Sequence, residues 1–234
     1  MSKPFSQACE NNKAVILSTI SQYFHDAITV LEIGSYTAQH IQYFAEKLPQ
    51  IRWQPSDTSD NLAFLTAGLE DEALVNILPP LVLDVSQQSW PMNQVGGIFS
   101  ANTLHIMPQT HVKDFFDGAG KTLEAGGYLC VYGPFKYDGE FTSDSNARFE
   151  LWLKERDSLS GVRDFEEVNA LAQQAGMTLV ADHTMPANNQ LLVFLQCKTN
   201  IDFSMKSENK TRTNQIDIPV KFEHNNPFVH RLSK

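Results

Sequence analysis

The stretch Val30-Leu31-Glu32-Ile33-Gly34-Ser35-Tyr36-Thr37-Ala38-Gln39-His40 constrains the fold more than any other part of the chain. Thr29 to Ile33 are mostly apolar and β-branched, as in a strand buried on both faces of a parallel sheet. The chain then turns at Gly34-Ser35 and enters a helix whose apolar residues Ile41, Phe44, Ala45 and Leu48 recur at i, i+3, i+4 and i+7. Strand, tight turn and helix N-terminus make a corner where backbone N–H groups and the helix dipole favour a phosphate, carboxylate or nucleotide. The next apolar run, Ile51 to Ser56, ends in Asp57. An α/β fold places a carboxylate there to bind a ribose diol.

The same alternation continues on both sides of this corner. Ala14 to Phe24 reads as a helix, with Val15, Ile16, Ile20, Tyr23 and Phe24 at helical spacing. A second helix is expected over Leu62, Leu65, Leu69 and Leu74, stopped by Pro79-Pro80. Leu81 to Val85 and Gly97 to Asn102 read as strands. A helix carrying Val112, Phe115, Phe116, Ala119 and Leu123 follows, closed by Gly126-Gly127 and succeeded by a strand over Tyr128 to Tyr132. Residues 135–163 are polar and read as irregular around a short helix near Phe149 to Leu153. Asp164 and Glu167 predict a capped helix reaching Gly176. The last two strands, Met177 to Asp182 and Leu191 to Cys197, are joined by too short a loop for a crossover, so they should pair antiparallel. The expected fold is α/β: a doubly wound, mostly parallel seven-stranded sheet with a terminal antiparallel hairpin.

Residues 1–198 are read as this one domain, with a helical cap over 1–28, and 199–234 as a polar, poorly ordered tail in which Ile216 to Phe222 offers an edge strand. The net charge of −9 argues against a generic nucleic-acid or anionic-membrane binder. Three widely spaced cysteines, Cys9, Cys130 and Cys197, show no metal spacing or disulfide framework, which points to a reducing compartment. With no long apolar run and no secretory pattern at the N-terminus, a soluble cytoplasmic protein is expected.

Three acids, Glu32, Asp57 and Asp84, end successive strands on one expected rim, where ligands of open α/β sheets bind. S-adenosylmethionine (SAM) presents an amino group, a ribose diol and an adenine amine, all donors to carboxylates. A dinucleotide pyrophosphate fits three acids less well. His105, three residues past Asn102, is the best candidate for a general base. Tyr132, Tyr137, Asn146, Arg163 and Asn189 sit in expected rim loops and are candidates for a polar substrate pocket.

The order of these segments resembles the class I SAM-dependent methyltransferases. More closely, it resembles the family that includes methyltransferase-like protein twenty-six. The resemblance rests on Phe5 to Asn12, Val30 to Ala45, Leu48 to Asp57, Leu78 to Val85, Tyr132-Gly133-Pro134, Ser145-Asn146-Ala147, Gly161 to Asp164 and Met185 to Asn189. It implies SAM as cofactor, lined by Asn12, Glu32, Gly34, Ser35, Tyr36, Asp57, Asp84, Val85, Ala101 and Asn102. It does not imply a particular substrate. The absence of a proline-rich tetrapeptide at Ser100-Ala101-Asn102-Thr103 favours a small-molecule acceptor over nucleic acid.

One departure stands out. The family pattern has glycine where this chain has Tyr36, and usually where it has Ala38. Glycine there permits positive φ and close approach of the cofactor. Tyr36 either covers the cofactor with its ring or fills the pocket. The rival reading is therefore a catalytically idle binding module with an altered cofactor loop. A nicotinamide oxidoreductase would carry the full glycine fingerprint, which this turn lacks.

Overall fold

The computed structural model describes residues 5–69 and 74–197. Its strands are β1 (Thr29–Ile33), β2 (Arg52–Asp57), β3 (Leu81–Val82), β4 (Val95–Ala101), β5 (Leu123–Gly133), β6 (Phe135–Tyr137), β7 (Glu140–Phe141), β8 (Arg163–Asp164), β9 (Met177–Met185) and β10 (Asn189–Gln196). The helices are α1 (Gln7–Ile20), α2 (Gln39–Lys47), α3 (Leu62–Leu69), α4 (Gln109–Thr122), α5 (Asp144–Arg156) and α6 (Phe165–Gln174).

The main sheet has seven strands in the order β3-β2-β1-β4-β5-β10-β9. β1 pairs in parallel with β2 on one side and β4 on the other, and β10 runs antiparallel to both β5 and β9. The sequence-derived sheet and its terminal hairpin are thus present. Period-two alternation builds a core on each face. Leu31, Ile98, Leu192 and Phe194 pack with Phe115 and Phe116 of α4 and with Val168 and Ala172 of α6. Val30, Phe99, Leu191 and Val193 pack with Ile16 and Ile20 of α1, Phe44 of α2 and Leu65 of α3. Among the described residues no helix is long and apolar enough to cross a membrane.

Several expectations change. α1 begins at Gln7, seven residues before the expected start, because the Ser6 side chain accepts from Cys9 N at 3.4 Å and caps it. β3 stops at Val82, where Asp84 folds back onto Ser86, accepting from Ser86 N at 2.9 Å and Ser86 Oγ at 2.7 Å. α4 ends at Thr122, and Gly126-Gly127 lies inside β5, not at a helix end. Residues 135–163 form a three-stranded sheet, β7-β6-β8, and the thirteen-residue α5, capped by Ser143. Asp164 does stand at the α6 N-cap position, but Glu167 accepts from Gln109 Nε2 on α4 at 3.2 Å instead of reaching back to the cap. The helical expectation at Leu74 falls past the end of α3 at Leu69. The tail over 199–234, with Ile216 to Phe222, lies outside the described residues.

Candidate active site

The order of the sheet reverses beside β1, so the loops after β1, β2 and β4 open a crevice at their carboxyl ends. Gly34 leaves β1 at φ 78°, and a Cβ there would sit 2.5 Å from Thr103 Cγ2. Only glycine fits this turn. Gly34 N and Ser35 N donate to Ser56 O at 3.0 and 2.9 Å, which ties the turn to β2.

Beyond it, Tyr36 and Ala38 keep positive φ, 39° and 61°, without being glycines. Each such residue costs about 1–2 kcal/mol. The glycine-type loop shape is therefore held by its surroundings. Tyr36 N donates to Asp57 Oδ2 at 2.8 Å. The Tyr36 ring, 46% exposed, leans on Phe64 of α3 with centroids 5.8 Å apart. The ring lies at the rim, and the space beneath it stays open.

That space is a cavity of about 810 Å³, within the range of small-molecule sites. A second, of about 290 Å³, adjoins it, and both are lined by Gly34, Asp57, Asn61, Thr103 and Ile106. Of the residues singled out from sequence, Asn12, Gly34, Ser35, Tyr36, Asp57, Ala101, Asn102, His105, Tyr132, Asn146 and Asn189 line the larger cavity. Asp84 and Val85 line the smaller one with Leu83 and Thr58.

Three of the expected residues stand elsewhere. Tyr137 donates to Asp182 Oδ2 at 2.7 Å, away from both cavities. Arg163 is buried, and its guanidinium donates to the carbonyls of Leu104, Met107 and Leu159. It holds the loop that carries His105. Glu32 lies behind the cavity wall, fully buried, with Oε2 unpartnered among the described residues. The three acids therefore do not share one exposed rim.

The electrostatics follow from burial. Desolvation raises the Glu32 carboxyl to about 8, helped by the Asp57 charge and opposed by Ser35. Desolvation lowers His40 to about 4, with Lys13 adding to it. The 3.9 Å approach of His40 Nδ1 to Glu32 Oε1 is thus a contact between neutral groups at pH 7, not an ion pair. Nε2 of His40 meets Asn12 Oδ1 at 2.7 Å, which anchors α1 to the cavity floor.

Asp57 accepts from Tyr36 N, Thr58 N and Asn61 Nδ2, each at 2.8 Å. A carboxylate offers about four acceptor positions, so about one remains.

His105 packs edge-on against Phe149 of α5, with centroids 5.0 Å apart. Burial, with the Arg163 charge, lowers it to about 4, so the imidazole is neutral at pH 7. Its ring nitrogens make no protein hydrogen bond among the described residues. Residues not singled out as ligand-facing include Cys9, His40, Asn61, Thr103, Phe149 and Trp152. The signal for the last two was an aromatic pair at i, i+3 inside the segment already expected to be helical.

A family model described as "Protein of unknown function (DUF938)" matches residues 3–196. The chain belongs to the DUF938 family. The DUF938 chain is also similar in fold to solved methyltransferases. An O-methyltransferase family 2 protein from Planctomyces limnophilus, in complex with apigenin, matches with TM-score 0.71 and 15% identity over 81% of this chain and 57% of its own. An O-methyltransferase family protein from Burkholderia thailandensis matches with TM-score 0.69 and 13% identity over 79% and 56%. Human N-acetylserotonin methyltransferase in complex with SAM matches with TM-score 0.67 and 12% identity over 82% and 53%. The DUF938 chain spans a little over half the length of these proteins, and what it shares with them is the class I methyltransferase fold.

Proposed function

We propose that this DUF938 protein binds SAM and transfers its methyl group to a small molecule. The observation that carries the reading is the joined pair of cavities over the ends of β1, β2 and β4, with Asp57 where they meet. The residues suit the cofactor group by group. The remaining acceptor position of Asp57 suits a ribose hydroxyl, and Leu83, Asp84 and Val85 make a small, largely apolar slot for adenine. Gly34, Ser35, Tyr36, Ala101, Asn102 and Asn12 surround space for the methionine part. The resemblance of the collinear segments to the family that includes methyltransferase-like protein twenty-six supports the same assignment.

Bound SAM supplies an electrophilic methyl group on a sulfonium. The chain's own contribution is alignment of an acceptor with that methyl, which can supply most of the rate. His105 takes the acceptor's proton. Its low pKa makes it a weak base, suited to a hydroxyl that becomes strongly acidic as the O–C bond forms. Filling of the pocket by Tyr36 finds no support, since its ring is 46% exposed and rests on Phe64.

The test is transfer of isotopic label from methyl-labelled SAM to a panel of hydroxylated small molecules. A labelled product that disappears in Asp57→Ala supports the proposal. A protein that binds SAM yet labels nothing in the panel favours the idle module.

A further inference from the structure

The larger cavity extends past the cofactor loop to a wall built by the 135–163 insertion, and this wall carries information about the acceptor. On α5, Asn146, Phe149 and Trp152 recur at three-residue intervals and all line the cavity. Phe149 and Trp152 stack with centroids 5.6 Å apart and planes 17° apart. His105 abuts the same Phe149. The candidate base is thus set in an aromatic wall.

Charge is distributed one-sidedly. Among the described residues no lysine or arginine lines the larger cavity. Arg156 lies 4.6 Å from the Trp152 ring without reaching the lining, and Arg163 is committed to three backbone carbonyls. The lining histidines, His40 and His105, are neutral at pH 7, and the lining acid is Asp57 at the cofactor end. An anionic acceptor would lose its hydration there with no lining lysine or arginine among the described residues to replace it.

Two of the lining amides have their donors committed to the protein. Asn146 Nδ2 donates to Thr142 Oγ1 and to Asn188 O, both at 2.9 Å. Asn189 Nδ2 donates to Pro186 O and Ala187 O at 3.2 and 3.3 Å. Because backbone carbonyls only accept, these partners fix which amide atom is nitrogen. The Asn146 side-chain oxygen remains as an acceptor on the wall.

Resting on the SAM-dependent reading above, we propose that the acceptor is a neutral, flat aromatic compound bearing at least two hydroxyl groups. Its ring lies against the Phe149–Trp152 wall, and one hydroxyl faces His105. A second donates to an asparagine oxygen. In the step, the hydroxyl oxygen forms a bond to the methyl carbon as the carbon–sulfur bond breaks. The bonding pair stays on sulfur, and the hydroxyl proton passes to His105.

The test titrates the full-length protein, by calorimetry and Trp fluorescence, with dihydroxynaphthalene, a naphthol, hydroxynaphthoate and cyclohexanediol. Trp152 is the half-exposed tryptophan, while Trp53 and Trp90 are buried, so ligand quenching reports mainly on it. Expected is binding of dihydroxynaphthalene ahead of the naphthol, and hydroxynaphthoate weaker by about tenfold or more, as for an unpaired carboxylate. Trp152→Ala, at a half-exposed residue, weakens dihydroxynaphthalene by about tenfold and leaves SAM affinity unchanged. Equal or tighter binding of the carboxylate or the aliphatic diol, no effect of Trp152→Ala, or no binding of either phenol at millimolar concentration overturns the proposal. A parallel SAM titration separates the two readings. SAM binding without phenol binding defeats only the acceptor class, and phenol binding without SAM binding defeats only the transfer reading.

Discussion

Replacing Ala38 by glycine measures how much of the cofactor loop is held against its own conformational preference. Ala38 is fully buried at the start of α2 with φ 61°. Ala45, buried in the last turn of the same helix, is the control. Each replacement removes one buried methyl, at about 0.8 kcal/mol. Ala45→Gly adds the helix-interior penalty of about 1 kcal/mol, for a total near 2 kcal/mol. Ala38→Gly adds about 0.4–1 kcal/mol of unfolded-chain entropy but removes about 1–2 kcal/mol of left-handed strain. Its net effect is near zero. Urea denaturation followed by Trp fluorescence gives both values. If Ala38→Gly destabilises as much as Ala45→Gly, the loop is not strained and the argument from glycine-type geometry fails.

Three further outcomes are expected. Stability should peak near pH 6.5: below it the unfolded chain binds protons that the buried His40 and His105, at about 4, refuse. Above it Glu32, raised to about 8, keeps a proton that the unfolded chain has already lost. The fall between pH 6.5 and 8 has a slope of up to about 1.4 kcal/mol per unit, and Glu32→Gln should abolish it in denaturation curves taken across that range. Arg163→Met should cost about 2–4 kcal/mol, since it strands carbonyls of Leu104, Met107 and Leu159; an unchanged denaturation midpoint would contradict that role. His105→Gln should lower the methyl-transfer rate by about 10²–10⁴-fold and leave SAM affinity intact in the same titration.

The sheet was legible because its central strands β1, β4 and β10 are mostly buried and so read as short apolar runs with turn residues between them. Val30 to Asp57 was especially clear, since the apolar strand, the glycine turn and the terminal acid must coincide there. The 135–163 insertion was not legible. Its strands are two or three residues long and paired with one another, too short for periodicity to show. Polar residues in this region read alike whether they face a ligand or tie down the backbone. Asn146 lines the cavity, Tyr137 binds Asp182, and Arg163 holds carbonyls. Glu32 and Asp57 each end or nearly end a strand, yet only Asp57 opens to the cavity. The difference is set by pleat direction and by α1, whose early start at Gln7 brings Asn12 over His40. Phe149 and Trp152 were hidden among residues that equally suit an ordinary amphipathic helix.

The most direct measurement is calorimetric titration of the purified protein with SAM and with its demethylated product, for the parent chain and for Asp57→Ala. Saturable binding in the parent chain, weakened tenfold or more in a folded Asp57→Ala protein, is the predicted result. A folded parent chain that binds neither compound contradicts the account.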